Sequence, residues 1–122
     1  VVSNILIVDD SMTMRQMVNF TLASAGHTVT EAGNADEAML NAQQQRFDLI
    51  ISDVNMPGRS GIELVAELRK LADYKFVPII LLTTEAQPEM KSKGRAAGAT
   101  GWIVKPFDPE ALLGVLRKVL PA

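Results

Sequence analysis

Asp9 and Asp10 stand side by side directly after the apolar run Ile5, Leu6, Ile7, Val8. Asp53 closes another such run in DLIISDVNMPG, Thr83 and Thr84 close a third, and Lys105 and Pro106 follow a fourth in GWIVKPF. Three carboxylates, one or two hydroxyls and one ammonium therefore come from separate segments, each at the end of a stretch of strand length. Taken singly each has a plain structural use. Asp10 or Ser11 would cap a helix, Asp53 would serve a turn, Thr83 would suit a strand as a β-branched residue, and Lys105 would be a solvated loop lysine. Four such coincidences at equivalent strand ends make a poor joint explanation, whereas one shared site accounts for all of them.

Two like unit charges ~5 Å apart cost roughly 3 kcal/mol at an effective dielectric of ~20, so three close carboxylates call for a cation. Mg2+ fits, as a hard ion held by one or two carboxylates with water and phosphate oxygens completing its shell. A sparsely held metal beside a third carboxylate and a lysine suits a phosphoryl group, and aspartate is a competent nucleophile for it.

The elements that must position these groups are legible as five strand-length apolar runs, Ile5–Val8, a weaker Thr28–Ala32, Leu49–Ser52, Val77–Thr83 and Trp102–Val104. Helical periodicity fills the spaces between and after them. The first helix is expected from about Met12 to Ala25, stopped by Gly26. The second and third follow NADE and SGIE, in which Asn34/Glu37 and Ser60/Glu63 have capping-box spacing; Ile62, Leu64, Val65, Leu68 and Leu71 form the apolar face of the third. The fourth runs from about Gln87 to Ala97 with Pro88 in its first turn, and the fifth starts at DPEALL with Asp108 as cap and Pro109 in first position. Leu112, Leu113, Leu116, Val119 and Leu120 give the fifth its stripe. A strand and a helix repeated five times predict a parallel sheet covered on both faces, a three-layer α/β/α sandwich, with the weak second strand at an edge. In such sheets ligands gather outside the carboxyl ends of the strands, where the polar residues fall.

Composition narrows the function classes. At 122 residues and 48% apolar the chain suffices for one domain, residues 1–122, with a single sizeable core. A net charge of −2 lacks the basic excess of a nucleic-acid binder, so no DNA partner is expected. The absence of cysteine and a lone His27 exclude thiolate and polyhistidine metal sites. No run reaches the ~20 apolar residues of a membrane span, and no signal peptide is evident. These features fit a reducing, cytoplasmic setting, and a monomer is the expectation. The chain begins at Val1, consistent with a lost initiator or tag.

VDDS, SDVNMPGRSG, LLTTE and IVKPF together resemble the receiver domain of two-component response regulators, over essentially the whole chain. The resemblance implies a flavodoxin/CheY-like fold with strand order 2-1-3-4-5. It also implies a phosphorylation-activated switch that catalyses its own phosphorylation and dephosphorylation without being a turnover enzyme. Asp53 matches the phospho-acceptor. Asp9, Asp10 and Asp53 with the backbone carbonyl of Asn55 match the Mg2+ ligands, with Mn2+ as a substitute. Thr83 matches the switch hydroxyl and Lys105 the lysine that contacts the phosphoryl group. Asn55, Thr84 and Glu85 are placed to influence the hydrolytic water; Thr84 is bulkier than the residue usual there, which would crowd the site. Lys105–Pro106 is a candidate cis bond. Trp102 holds the rotating aromatic position, where a smaller ring is usual, and its bulk is expected to hinder inward rotation. The alternative for Trp102 is a half-buried aromatic covering the fourth helix.

AAGATGWIVKPF resembles single-domain, CheY-type chemotaxis regulators, and the chain ends just past the fifth helix. The resemblance implies a CheA-like histidine kinase as phosphodonor and an output target such as a flagellar motor switch component. The output face would lie on the fourth helix, fifth strand and fifth helix, with Lys91, Lys93, Arg95, Trp102 and Lys118 giving it basic character. The alternatives are a receiver cut from a larger regulator, or a phosphate sink. Among other classes, a haloacid-dehalogenase-type phosphatase needs an acid where Asn55 stands. A flavodoxin-like binder needs a Ser/Thr/Gly-rich phosphate loop where DDSMTM stands. A non-phosphorylated pseudo-receiver sits poorly with an intact acidic pair, acceptor, threonine and lysine.

Overall fold

The computed structural model describes residues 3–84 and 88–120. Five strands, β1 (Asn4–Val8), β2 (Thr28–Ala32), β3 (Leu49–Asp53), β4 (Ile79–Thr83) and β5 (Gly101–Val104), form one parallel sheet in the order β2-β1-β3-β4-β5. Five α-helices join and follow them: α1 (Met12–Ser24), α2 (Ala35–Gln44), α3 (Gly61–Leu68), α4 (Pro88–Ala97) and α5 (Pro109–Val119). The weak second strand is at an edge, as its mixed polarity requires.

Side chains alternate across each strand, so the sheet feeds two cores. Ile5, Ile7, Leu49, Ile51, Ile80 and Leu82 pack with Val18 and Leu22 of α1 and with Leu112 and Leu116 of α5. Leu6, Val8, Ile50, Ile79 and Leu81 face the other way, onto Ala38 of α2 and Leu64, Val65 and Leu68 of α3. β3 and β4 are buried along their whole length. Both cores end where the strands end, and the chain must then turn. Polar side chains at those turns meet at the rim of the sheet, beyond the two apolar cores.

The element ends follow their local signals with three departures. Ser11 is the cap of α1, its hydroxyl accepting from Met14 N–H at 3.2 Å, so Asp10 is left for other work. Ser60 and Glu63 make the full reciprocal box. The Asn34/Glu37 pair makes only half of one: Asn34 accepts from Glu37 N–H at 2.8 Å, but the Glu37 carboxylate reaches Gly33 N–H instead, at 2.7 Å. β4 begins at Ile79 rather than Val77, because Pro78 has no N–H for the ladder; its carbonyl still accepts from Ile50 N–H. α3 stops at Leu68, and a 3-10 turn, Ala72–Tyr74, follows where the sequence pattern suggested no element. Leu71 therefore packs from the connection, not from the helix. α1 and α4 end at Gly26 and Gly98, whose φ of 94° and 112° suit only glycine. The expected start of α4 at Gln87 lies outside the described residues.

Candidate functional site

In the order β2-β1-β3-β4-β5 the connections leave β1 and β3 toward opposite edges, opening a crevice at their carboxyl ends. Asp9 follows β1 and Asp53 is the last residue of β3. Asp9, Asp10 and Asp53 each bring a carboxylate oxygen within 4.8 Å of the others. Asp9 and Asp53 are buried and Asp10 is exposed, so one oxygen set faces inward and one carboxylate remains open to solvent.

Lys105 arrives from beyond β5. Its backbone N–H continues the ladder onto the Thr83 carbonyl at 2.6 Å, which brings its side chain over the crevice. There the ammonium donates to Asp9 Oδ2 at 3.1 Å and to Asp53 Oδ1 at 3.0 Å. The Lys105–Pro106 peptide is cis. Thr83, fully buried at the end of β4, stands beside β3, with Leu82 in register with Asp53. Asn55 and Thr84 are exposed at the same end of the sheet, and Glu85 lies outside the described residues.

The electrostatics follow from one ammonium shared by two carboxylates with a third close by. Burial raises the Asp53 carboxyl above the usual carboxylate range; the neighbouring charges of Asp9 and Asp10 add to the rise, and the Lys105 hydrogen bond opposes it without winning. Burial alone would lower the Lys105 ammonium, but its hydrogen bonds and attraction to Asp53 and Asp9 raise it overall. The crevice thus holds more negative charge than its lysine neutralises. A hard divalent cation with oxygen ligands fits that donor set, with Asp9, Asp10 and Asp53 as the side chains able to hold it.

Asp9 is fixed from four directions. Its N–H donates to the Ala32 carbonyl at 3.1 Å, Ser11 N–H donates to its Oδ1 at 2.9 Å, Lys105 takes its Oδ2, and Arg15 Nη1 donates to its backbone carbonyl at 2.7 Å. The sequence reading missed Arg15. The available signal was that it is the only charged residue between Ser11 and Gly26. Behind Asp53, Gly61 N–H donates to the Val54 carbonyl at 2.9 Å, and a Cβ at Gly61 would run into the Asp53 carbonyl. Arg59 ties this loop to Asp36 of α2 and Glu67 of α3.

Trp102 stands apart from the carboxylates. It is in register with Leu81, two residues back from Thr83, and its ring is half-buried against the core under α4. α4 carries Gly94 where it meets the indole. A Cβ there would lie 2.8 Å from Trp102 Cζ3 and 2.9 Å from Leu81 Cδ1. The indole N–H is buried without a hydrogen-bond partner among the described residues. Lys91, Lys93, Arg95 and Lys118 are exposed. Lys91 and Arg95 join Ala99, Thr100, Gly101 and Trp102 around a groove of about 210 Å³.

This fold and crevice define a phosphorylation-type signalling module. The chain belongs to the response regulator receiver domain family, whose pattern it matches over residues 5–117. It is similar to the protein PilH of Pseudomonas aeruginosa, 36% identical over 97% of this chain and 98% of PilH. It is 39% identical to the phosphate regulon transcriptional regulatory protein PhoB of the same organism, over 95% of this chain but only 51% of PhoB. Among solved structures, Vibrio cholerae chemotaxis protein CheY4 superposes with a TM-score of 0.95 at 53% identity, over 98% of this chain and all of that one. The chain is accordingly the receiver domain of a two-component response regulator, a signalling switch whose family binds Mg2+ at an acidic site.

Proposed function

We propose that Asp53 accepts a phosphoryl group from a phosphohistidine of a histidine kinase, and that the chain is a single-domain, chemotaxis-type switch. The observation that carries this reading is the Lys105 ammonium shared between Asp9 and Asp53 at 3.1 and 3.0 Å, with Asp10 open beside them. Bound Mg2+, or Mn2+ in its place, would supply charge neutralisation for the incoming phosphoryl oxygens. Asp9, Asp10, Asp53 and the Asn55 backbone carbonyl are the groups assigned to hold it. An Asp53 carboxylate oxygen attacks phosphorus as the P–N bond to the histidine breaks, and the imidazole leaves with the electron pair. Lys105 is already within hydrogen-bond reach of Asp53 and follows the charge onto the phosphoryl oxygens. Water later cleaves the acyl phosphate to restore Asp53, and Asn55, Thr84 and Glu85 are the residues assigned to influence that water.

Thr83 and Trp102 are assigned to the switch. Thr83 lies in the strand between the acceptor and β5, and its carbonyl holds Lys105 N–H. A shift of Thr83 toward the phosphoryl group is thus coupled to the start of the Lys105 loop and to the groove at Trp102. Lys91, Lys93, Arg95 and Lys118 then present a basic face to an acidic output partner, such as a flagellar motor switch component. The likeness to CheY4, over 98% of this chain and all of that one, favours this reading. The match to about half of PhoB supports a second reading, a receiver attached to an effector domain.

Labelling with a phosphorylated kinase or acetyl phosphate tests the acceptor. Asp53→Asn is expected to abolish labelling, and stoichiometric labelling of that variant at the wild-type rate would refute the assignment. Phosphotransfer profiling against the histidine kinases of the host identifies the donor, and a kinase of a chemotaxis array is the expected answer.

A further inference from the structure

Arg15 is the one charged side chain between Ser11 and Gly26, and it is aimed at the acidic crevice without touching a carboxylate there. Its Nη1 donates to the backbone carbonyl of Asp9 at 2.7 Å, and its Nε donates to Glu31 Oε1 of β2 at 3.1 Å. Glu31 is itself held by Asn19 Nδ2 on its second oxygen, at 2.7 Å. Arg15 is only 16% exposed and Glu31 31% exposed, so the pair is partly shielded from solvent. Glu31 lies opposite Ile7 in the β1–β2 register, two residues before Asp9.

The carbonyl that Arg15 grips belongs to the Asp9–Asp10 peptide. Fixing that oxygen fixes the peptide plane, because the plane is rigid. That plane carries the Asp10 nitrogen and Cα, so it sets the point from which the Asp10 side chain starts and leaves only rotation about N–Cα to direct it. Asp9 has three other restraints, from Ala32, Ser11 and Lys105, whereas Asp10 is exposed. Its approach to a metal is therefore directed through its backbone. A bare guanidinium this close would also repel an incoming cation, and Glu31 cancels that charge. The contact positions Asp10 without an electrostatic cost to metal binding.

We propose that Arg15 and Glu31 form a positioning pair for the Mg2+ site, with Arg15 orienting Asp10 and Glu31 orienting and neutralising Arg15. This rests on the reading of Asp9, Asp10 and Asp53 as the Mg2+ ligands. Partners that orient metal ligands typically matter by 10–100-fold in affinity; a contact acting through one peptide plane belongs at the low end, about tenfold.

The test is Mg2+ titration of the unphosphorylated, metal-free protein, followed by amide NMR shifts at Ser11 and its neighbours, with thermal unfolding in chelator measured alongside. Arg15→Ala is expected to weaken Mg2+ about tenfold. Glu31→Ala is expected to weaken it in the same direction, and the double variant no further than Arg15→Ala alone, because the two act in series. Glu31→Gln keeps an acceptor for Nε but leaves the guanidinium charge unpaired, so its deficit is expected to grow at low salt. Lower thermal stability with Mg2+ affinity within twofold of wild type in Arg15→Ala would overturn the proposal and leave Arg15 a brace between α1 and β2. So would independent, multiplying losses in the double variant. Asp10→Ala separates the two levels of failure. If it weakens Mg2+ while Arg15→Ala does not, only the positioning pair falls; if it too is without effect, the metal reading falls and the pair with it.

Discussion

Replacing Lys105 by methionine keeps most of the side-chain length and removes the ammonium that bridges the Asp9 and Asp53 carboxylates. Each of its ion pairs, at 3.0 and 3.1 Å, is worth about 5 kcal/mol at an effective dielectric of ~20. The ammonium loses several kcal/mol of hydration on entering the crevice, which offsets much of that attraction. Removing one partner leaves the others buried and unpaired, and such losses run to about 3–5 kcal/mol. Lys105→Met is therefore expected to lower stability by about 3 kcal/mol at pH 7.5 in chelator, read by urea unfolding. The deficit should shrink at lower pH. The Asp53 carboxyl is already raised by burial, so the folded protein holds that proton more tightly than the unfolded chain. Its contribution is greatest below the unfolded value near 3.8 and is lost as pH rises through the raised folded value. Without Lys105 the folded value rises further, and a proton takes over part of the work of the ammonium. Mg2+ should restore more stability to the variant than it adds to wild type, because it no longer competes with Lys105 for the same oxygens. A variant as stable as wild type in chelator, or a deficit that does not shrink as the pH is lowered from 7.5 toward the onset of acid unfolding, would refute this account of the crevice.

Asp10→Ala should weaken Mg2+ binding while leaving the contacts of Lys105 with Asp9 and Asp53 intact, seen as lost Mg2+ affinity with no loss of stability in chelator. Gly94→Ala should destabilise the protein by about 1–3 kcal/mol despite the better helix propensity of alanine, because the new methyl meets Trp102 and Leu81; a red shift of the tryptophan emission would report the displaced ring. A beryllofluoride complex, formed with Mg2+ at Asp53, should change Trp102 fluorescence, and unchanged emission would give Trp102 a packing role alone.

What could be read from the chain followed from local rules. Apolar runs of strand length, each ending in a polar residue, gave the α/β/α sandwich and the end of the sheet at which the site lies. Caps and stops were legible at Ser60, Asp108, Gly26 and Gly98, because capping is decided by residues three or four apart. The start of β4 was misread at Val77, since hydrophobicity does not register the missing N–H of Pro78. The short turn at Ala72–Tyr74 was missed because its defining contact, Tyr74 Oη bridging the Ala42 and Gln45 carbonyls, comes from a distant helix.

Sequence by itself determined that Asp9, Asp10, Asp53, Thr83 and Lys105 stand at or just beyond strand ends in one parallel sheet. Tertiary structure alone decided how they meet. The Lys105 ammonium reaches Asp9 across 96 positions of chain, and no periodicity encodes which carboxylate oxygen it takes. The same holds for Arg15, whose polar contacts come from a strand end and an edge strand, and for Trp102, whose packing against α4 depends on a glycine in that helix. Local sequence sets backbone conformation through nearest neighbours, whereas these contacts are set by the packing of whole elements against one another.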